Sequence, residues 1–211
     1  MSLAETTLET LRAPAMVARA YVGRNGLSRR FREKRFARLF ALVDAVIAKK
    51  GCCRIADLGG TAYYWNIAAA EVARRPLEIT LINPKEDQPT DDVFSFRAGD
   101  ATDLGDLDDM SFDLAHSNSV IEHVGDWAKM RAMAANLRRL APAYYVQTPC
   151  FWFPIEPHFR APFIHWLPEQ LRYRLVMRFA LGFAGRKRSV DEAMIRVQSA
   201  RLLDKGQMRA L

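Results

Sequence analysis

From residue 53 onward, short apolar runs alternate with stretches whose apolar positions recur every three or four residues. That alternation predicts strands separated by helices. Arg54–Leu58 reads as a buried strand, Glu78–Ile82 as a second, Val93–Ala98 as a third, Phe112–Ser117 as a fourth and Ala143–Thr148 as a fifth. Asn66–Arg74 and Asp126–Leu140 read as intervening helices. Asn83-Pro84 closes the second strand and Pro149 stops the fifth, because proline cannot donate to a strand ladder. Ahead of the strands, Phe36, Leu39, Phe40, Val43, Val46 and Ile47 share one face of a helix capped by Ser28 and ended by Gly51. Residues 4–22 also read as helical, interrupted at Pro14, with a turn at residues 23–26. The fold class expected is α/β: a doubly wound, mostly parallel sheet with helices on both faces. Residues 1–50 are expected to form a helical segment packing on the core, and residues 51–211 the α/β domain itself.

Residues 150–168 break the pattern. Four prolines and six aromatics in this stretch cannot continue a helix. An ordered aromatic loop is expected there, followed by helical patterns only. Phe151, Trp152, Phe153, Phe163 and Trp166 form either a lid on the acceptor side of a pocket or a small satellite core.

Composition narrows the class. Half of the residues are hydrophobic, enough for a substantial core. No apolar run approaches the roughly 20 residues of a membrane-spanning helix. Residues 1–20 lack the basic start and apolar segment of a secretory signal. The three cysteines, Cys52, Cys53 and Cys150, form no disulfide framework, which points to a reducing, cytoplasmic setting. Net charge is +7, with basic clusters at residues 24–38 and 172–188 and an acidic stretch at 86–113. Clusters this modest read as solvated faces before they read as a nucleic-acid surface.

The strand ends carry the chemistry. Asp57, Gly59, Gly60 and Thr61 follow the first strand, where glycine lets a ligand approach the backbone. Asn83 ends the second strand, Asp100 and Ala101 follow the third, and Ser117 and Asn118 lie at the end of the fourth. In an open parallel sheet, ligands bind beyond these ends.

With these residues in place, the sequence resembles the class I S-adenosylmethionine-dependent methyltransferases. The likeness is to the small bacterial type (type 11/23-like), over roughly residues 30–170. Asp57-Leu58-Gly59-Gly60-Thr61 matches the first motif, and Ala98-Gly99-Asp100-Ala101 matches the adenine-contacting segment. Phe112-Asp113-Leu114 through Ser119-Val120-Ile121-Glu122-His123-Val124 matches the fourth-strand signature. The resemblance implies a Rossmann-like sheet, S-adenosyl-L-methionine as cofactor, and methyl transfer to oxygen or nitrogen of a small-molecule or glycan-like acceptor. Two departures stand out. The family usually ends its second strand with an acid, where this chain has Asn83. Its closing antiparallel strands also have no counterpart here, so the chain reads as truncated, with an uncovered sheet edge suited to a homodimer.

His123, Glu156 and His158 are the candidates for a general base. His123 competes with a capping role, Glu156 and His158 with an internal pair bracing the loop, and His165 reads as packing. No ligand spacing supports a metal, and none is expected. Two other functions remain open. A nicotinamide dehydrogenase would need three spaced glycines and an acid after strand two. A non-catalytic cofactor-binding or interaction protein would fit if Asn83 abolishes turnover. A nucleic-acid methyltransferase would need an Asn/Asp-Pro-Pro-aromatic tetrapeptide after strand four, where Ser117-Asn118-Ser119-Val120 stands.

Overall fold

The computed structural model describes residues 26–84, 90–182 and 185–211, with side chains from residue 34. The helix expected over residues 4–22 lies outside the described residues. The first described helix, α1 (Gly26–Lys50), buries Phe36, Leu39, Phe40 and Val43, with Val46 and Ile47 partly buried. This is the face the spacing predicts. Ser28 falls inside the helix, not at its cap.

Five strands then form one parallel sheet: β1 (Cys53–Leu58), β2 (Leu77–Asn83), β3 (Phe94–Ala98), β4 (Leu114–Asn118) and β5 (Tyr144–Gln147). Their order is β3-β2-β1-β4-β5. Successive strands step outward from β1 to β3, and the chain then returns to lay β4 on the other side of β1. The order therefore reverses between β1 and β4. Register is set by pairs such as Ile55 with Leu114, Ile82 with Arg97 and Ser117 with Val146.

The single helix expected over residues 66–74 is instead two short ones, α2 (Ala62–Asn66) and α3 (Ala69–Val72). Ala68 breaks them, with φ −118° and ψ 31° outside the helical region. By contrast α4 (Trp127–Leu140) is one helix, started by the Asp126 carboxylate accepting from Lys129 N. It buries Met130, Met133, Leu137 and Leu140 in a core with Ala56, Leu58, Ile82, Leu104 and Ala115.

The aromatic segment is ordered, as expected, but contains a small antiparallel hairpin, β6 (Ile155–Glu156) with β7 (Ala161–Pro162). Helices α5 (Glu169–Arg178), α6 (Val190–Gln198) and α7 (Lys205–Ala210) follow. Phe159, Ile164, Val176, Ala193 and Val197 make a separate satellite core. Leu203 pairs with the backbone at Cys150 and joins the main core with Met208 and Leu211.

The chain divides into two compact units. Among the described residues, one comprises those up to Cys53 with Ala62–Pro76; the other comprises Arg54–Thr61 with those from Leu77 onward. In the first, Phe36 packs on Phe40 and Tyr64, and Arg75 lies over the Phe40 ring while forking onto Asp44 at 2.6 and 3.0 Å. That guanidinium hydrogen bond holds the Asp44 carboxyl below its ordinary range. The second unit contains the sheet and the site described next.

Candidate functional site

β1 ends in Gly59, whose φ of +74° a residue with a Cβ rarely adopts. Its amide donates to Ile82 O at 2.7 Å, tying the turn to the end of β2. A Cβ at Gly59 would also lie 2.5 Å from the Val120 methyls. The next position is equally closed. A Cβ at Gly60 would overlap the Asp57 carboxyl and sit 2.8 Å from Asp57 Cβ. The two glycines are thus required by what lies behind the turn, and that closeness brings the backbone to a cavity in front of it.

Asp57 is 1% exposed, with Oδ1 2.6 Å from His116 Nδ1 on the neighbouring strand. Two strands are pinned together under the turn. Ser117, also buried, donates to Leu58 O at 2.9 Å and makes a second clasp between β1 and β4. Asp57 and Ser117 therefore shape the floor, whereas Gly59 faces the cavity.

That cavity, of about 360 Å³, lies beyond the carboxyl ends of the strands, where the strand order reverses. Gly59, Asn83, Asp100 and Ala101, four of the residues expected at the strand ends, line it together with Ile82, Ser119, Val120 and His123. Gly60, Thr61 and Asn118 adjoin this lining without forming part of it. Asn83 Nδ2 reaches Gly60 O at 3.4 Å. Asp100 accepts from both the amide and the hydroxyl of Thr102 at 2.8 Å, and these two bonds hold its carboxyl below the ordinary range. It stays ionised, an acceptor aimed at whatever occupies the cavity. Ala101 is fixed from behind by buried Asn136, which donates to its carbonyl at 3.0 Å. Ser119 holds a positive φ of 56°, braced by its amide donating to Gln147 O.

The proposed base residues come together. His158 Nδ1 is 2.6 Å from Glu156 Oε1, and its Nε2 is 3.1 Å from His123 Nε2. His123 Nδ1 is 2.6 Å from Ser199 O. A carbonyl only accepts, so His123 carries its proton on Nδ1. The Glu156 carboxylate likewise accepts from His158 Nδ1–H. Both Nε2 lone pairs then face each other. Glu122, 1% exposed, stands beside them and accepts from Thr148 Oγ1 at 2.9 Å. In the sequence, Glu122-His123 reads as a helix start that either caps and packs or faces the pocket; Thr148 and Ser199 carry no signal, because a hydroxyl and a main-chain carbonyl leave no motif.

A second cavity of about 310 Å³ is lined by Trp127, Phe151, Glu156, Phe159, His165 and Arg172, among others. Glu156 thus joins this cavity to the histidine pair. His165 Nε2 donates to Phe151 O at 2.7 Å. Trp152, Phe153 and Phe163 point outward and are 63%, 59% and 50% exposed, so they do not line the pocket floor.

Comparison with known proteins agrees with this geometry. A family model described as a methyltransferase domain matches residues 44–142. Among curated proteins there is no match. One similar solved structure is provisionally described as a Zn-dependent alcohol dehydrogenase from Rhodobacter sphaeroides. It shares 14% identity over 80% of this chain and 74% of its own, with a TM-score of 0.50, a likeness of fold alone. Another, provisionally described as a methyltransferase from an antibiotic biosynthesis pathway of Anabaena variabilis, is 18% identical with a TM-score of 0.41. It is matched over 66% of this chain, which spans 60% of the Anabaena chain's length. An S-adenosylmethionine dependent methyltransferase from Mesorhizobium loti is 23% identical over 48% of this chain and 47% of its own, with a TM-score of 0.34. The methyltransferase-domain match runs from the end of α1 through β1 to α4, the part of the chain that builds the cavity at the strand-order reversal.

Proposed function

We propose that the protein transfers the methyl group of S-adenosyl-L-methionine to an oxygen or nitrogen of a small-molecule or glycan-like acceptor. The observation that carries this reading is the cavity at the strand-order reversal, bordered by Gly59, Asn83, Asp100 and Ala101 within the matched domain, with His123 on its rim. Asp100 and Asn83 supply acceptors and donors for the cofactor's ribose and adenine, and the Gly59 turn admits its amino-acid end close to the backbone. The second cavity, with its aromatic walls and Arg172, suits the acceptor.

In the step itself, the acceptor's oxygen or nitrogen attacks the sulfonium methyl in line. The new C–O or C–N bond forms as the C–S bond breaks, and its electron pair returns to sulfur as the neutral thioether S-adenosylhomocysteine. The acceptor's proton passes to the facing Nε2 atoms of His123 and His158. One proton shared across that 3.1 Å gap turns a lone-pair repulsion into a hydrogen bond, and the Glu156 carboxylate stabilises the resulting charge. Positioning supplies the rest, since alignment of nucleophile, methyl and sulfur converts a bimolecular encounter into a unimolecular one.

The test is S-adenosylhomocysteine formation from the cofactor with a panel of hydroxylated and aminated small molecules. Acceptor-dependent product supports the reading; cofactor binding with no turnover on any acceptor favours a non-catalytic cofactor-binding protein, which the Asn83 substitution for the family's acid would explain. A reducing compartment such as the cytoplasm suits the exposed thiol of Cys150, and no helix among the described residues is long and apolar enough to cross a membrane. The outer side of β5 has no strand neighbour among the described residues, which supports a dimer through that edge. Light scattering on the eluting protein would show it.

A further inference from the structure

We infer that Glu122, His123 and His158 form a binding site for one divalent first-row metal ion of the zinc class. The tautomers forced by Ser199 O on His123 and by Glu156 on His158 leave two Nε2 lone pairs facing each other at 3.1 Å. Two imidazoles have no reason to meet lone pair to lone pair unless something positive sits between them. Zn–N bonds of 2.0–2.1 Å separate two ligating nitrogens by about 2.9 Å at a right angle and about 3.4 Å at the tetrahedral angle. The observed gap lies between these values.

The third ligand is independent of the histidines. Glu122 is 1% exposed and its Oε1 has no hydrogen-bond partner, although Oε2 accepts from Thr148. A buried carboxylate oxygen left bare is costly unless a cation or donor completes it. One ligand atom from each of the three residues lies within 4.8 Å of the others. Two imidazoles and one carboxylate are the donor set of open, three-ligand zinc sites. Both rings are also braced as metal-bound histidines are, one on a carboxylate and one on a backbone carbonyl. His123 is exposed and borders the cofactor cavity, which leaves the remaining coordination positions facing outward. Spacing does not announce the site, because two ligands are adjacent on a short 3-10 turn and the third comes from the β6–β7 hairpin.

The site rests on geometry alone and holds whether or not the methyl-transfer reading does. Its consequence for that reading is that a bound cation takes the same lone pairs that would accept the acceptor's proton.

Zinc titrated into chelator-stripped protein, followed by calorimetry, tests the site, with cobalt as a spectroscopic probe. One zinc per chain is expected, with visible ligand-field bands for cobalt in low-symmetry coordination. His158→Ala should weaken zinc binding at least about a hundredfold, and Glu156→Gln, which leaves the ligands but removes the brace's charge, by about 10–100-fold. Cys150→Ser should leave it unchanged. Circular dichroism and S-adenosylhomocysteine binding by His158→Ala show whether that variant is folded, and Glu156→Gln serves if it is not. Absence of zinc binding, or equal affinity in wild type and both site variants, overturns the proposal. Melting that depends on pH but not on zinc would also overturn it, by assigning the gap to a shared proton. Loss of S-adenosylhomocysteine binding with zinc binding retained would sink the methyl-transfer reading and leave the metal site standing.

Discussion

Gly60→Ala puts the turn after β1 under the most direct strain. The new methyl would occupy the space of the Asp57 carboxyl, which must then leave its contact with His116. Both side chains are essentially without solvent exposure, at 1% and 0%. Neither partner can recover the lost interaction from water, so separation of the pair costs about 3 kcal/mol. For a domain of this length that corresponds to a drop in melting temperature of about 6–12 °C. The same displacement shifts the backbone beside Gly59, so affinity for S-adenosylhomocysteine falls with it. A double-mutant cycle with Asp57→Ala separates overlap from any general intolerance of the turn. Removing the carboxyl clears most of the clash, although Asp57 Cβ at 2.8 Å leaves a residual penalty of about 1 kcal/mol for overpacking. Melting followed by circular dichroism is the assay. If Gly60→Ala melts with the wild type, or costs as much in the Asp57→Ala background as alone, Asp57 is not what requires glycine.

Asp100→Asn should weaken S-adenosylhomocysteine binding by about tenfold, the worth of one charge-assisted hydrogen bond. Because Thr102 lowers the Asp100 carboxyl from the usual 3.8, binding should stay level as pH falls to that value and decline only below it; Thr102→Val should move the decline upward, as calorimetry across pH would show. In the other unit, Arg75→Ala loses the Phe40 stacking and the half-exposed Asp44 fork, about 1 kcal/mol after solvent screening. Asp44 is lowered in the folded state, so its share is present above the ordinary carboxylate range and lost as pH falls through the lowered value; the Arg75→Ala deficit, read by thermal melts, should shrink there. His158→Ala and Glu156→Gln should each reduce turnover by about 10²–10⁴-fold and by a smaller factor respectively, with cofactor affinity held, and wild-type rates in both would remove the pair from the chemistry.

The strands were legible because each is a short apolar run, four of them closed by Gly, Asn-Pro or Pro and the fourth strand by Ser and Asn, and the α1 face because its spacing is regular. The break at Ala68 was not, since Asn66–Arg74 has helical composition throughout and the interruption lies in backbone geometry. At the cavity, Gly59, Asn83, Asp100 and Ala101 could be found because a parallel sheet places strand ends together. Asp57 shows the limit of the same reasoning. It sits in the motif, yet its side chain turns to His116, a residue 59 positions away that nothing local marks. The histidine pair was visible as residue types, but its meeting with Glu122 depends on the β6–β7 hairpin folding back, and Ser199 enters through a carbonyl.

Calorimetry with S-adenosylhomocysteine and with NAD tests the central claim most directly. One S-adenosylhomocysteine per chain, lost in Asp100→Ala, with no heat from NAD, is the expected result. Saturable NAD binding with none for S-adenosylhomocysteine would contradict the assignment of the cavity at Gly59, Asn83 and Asp100.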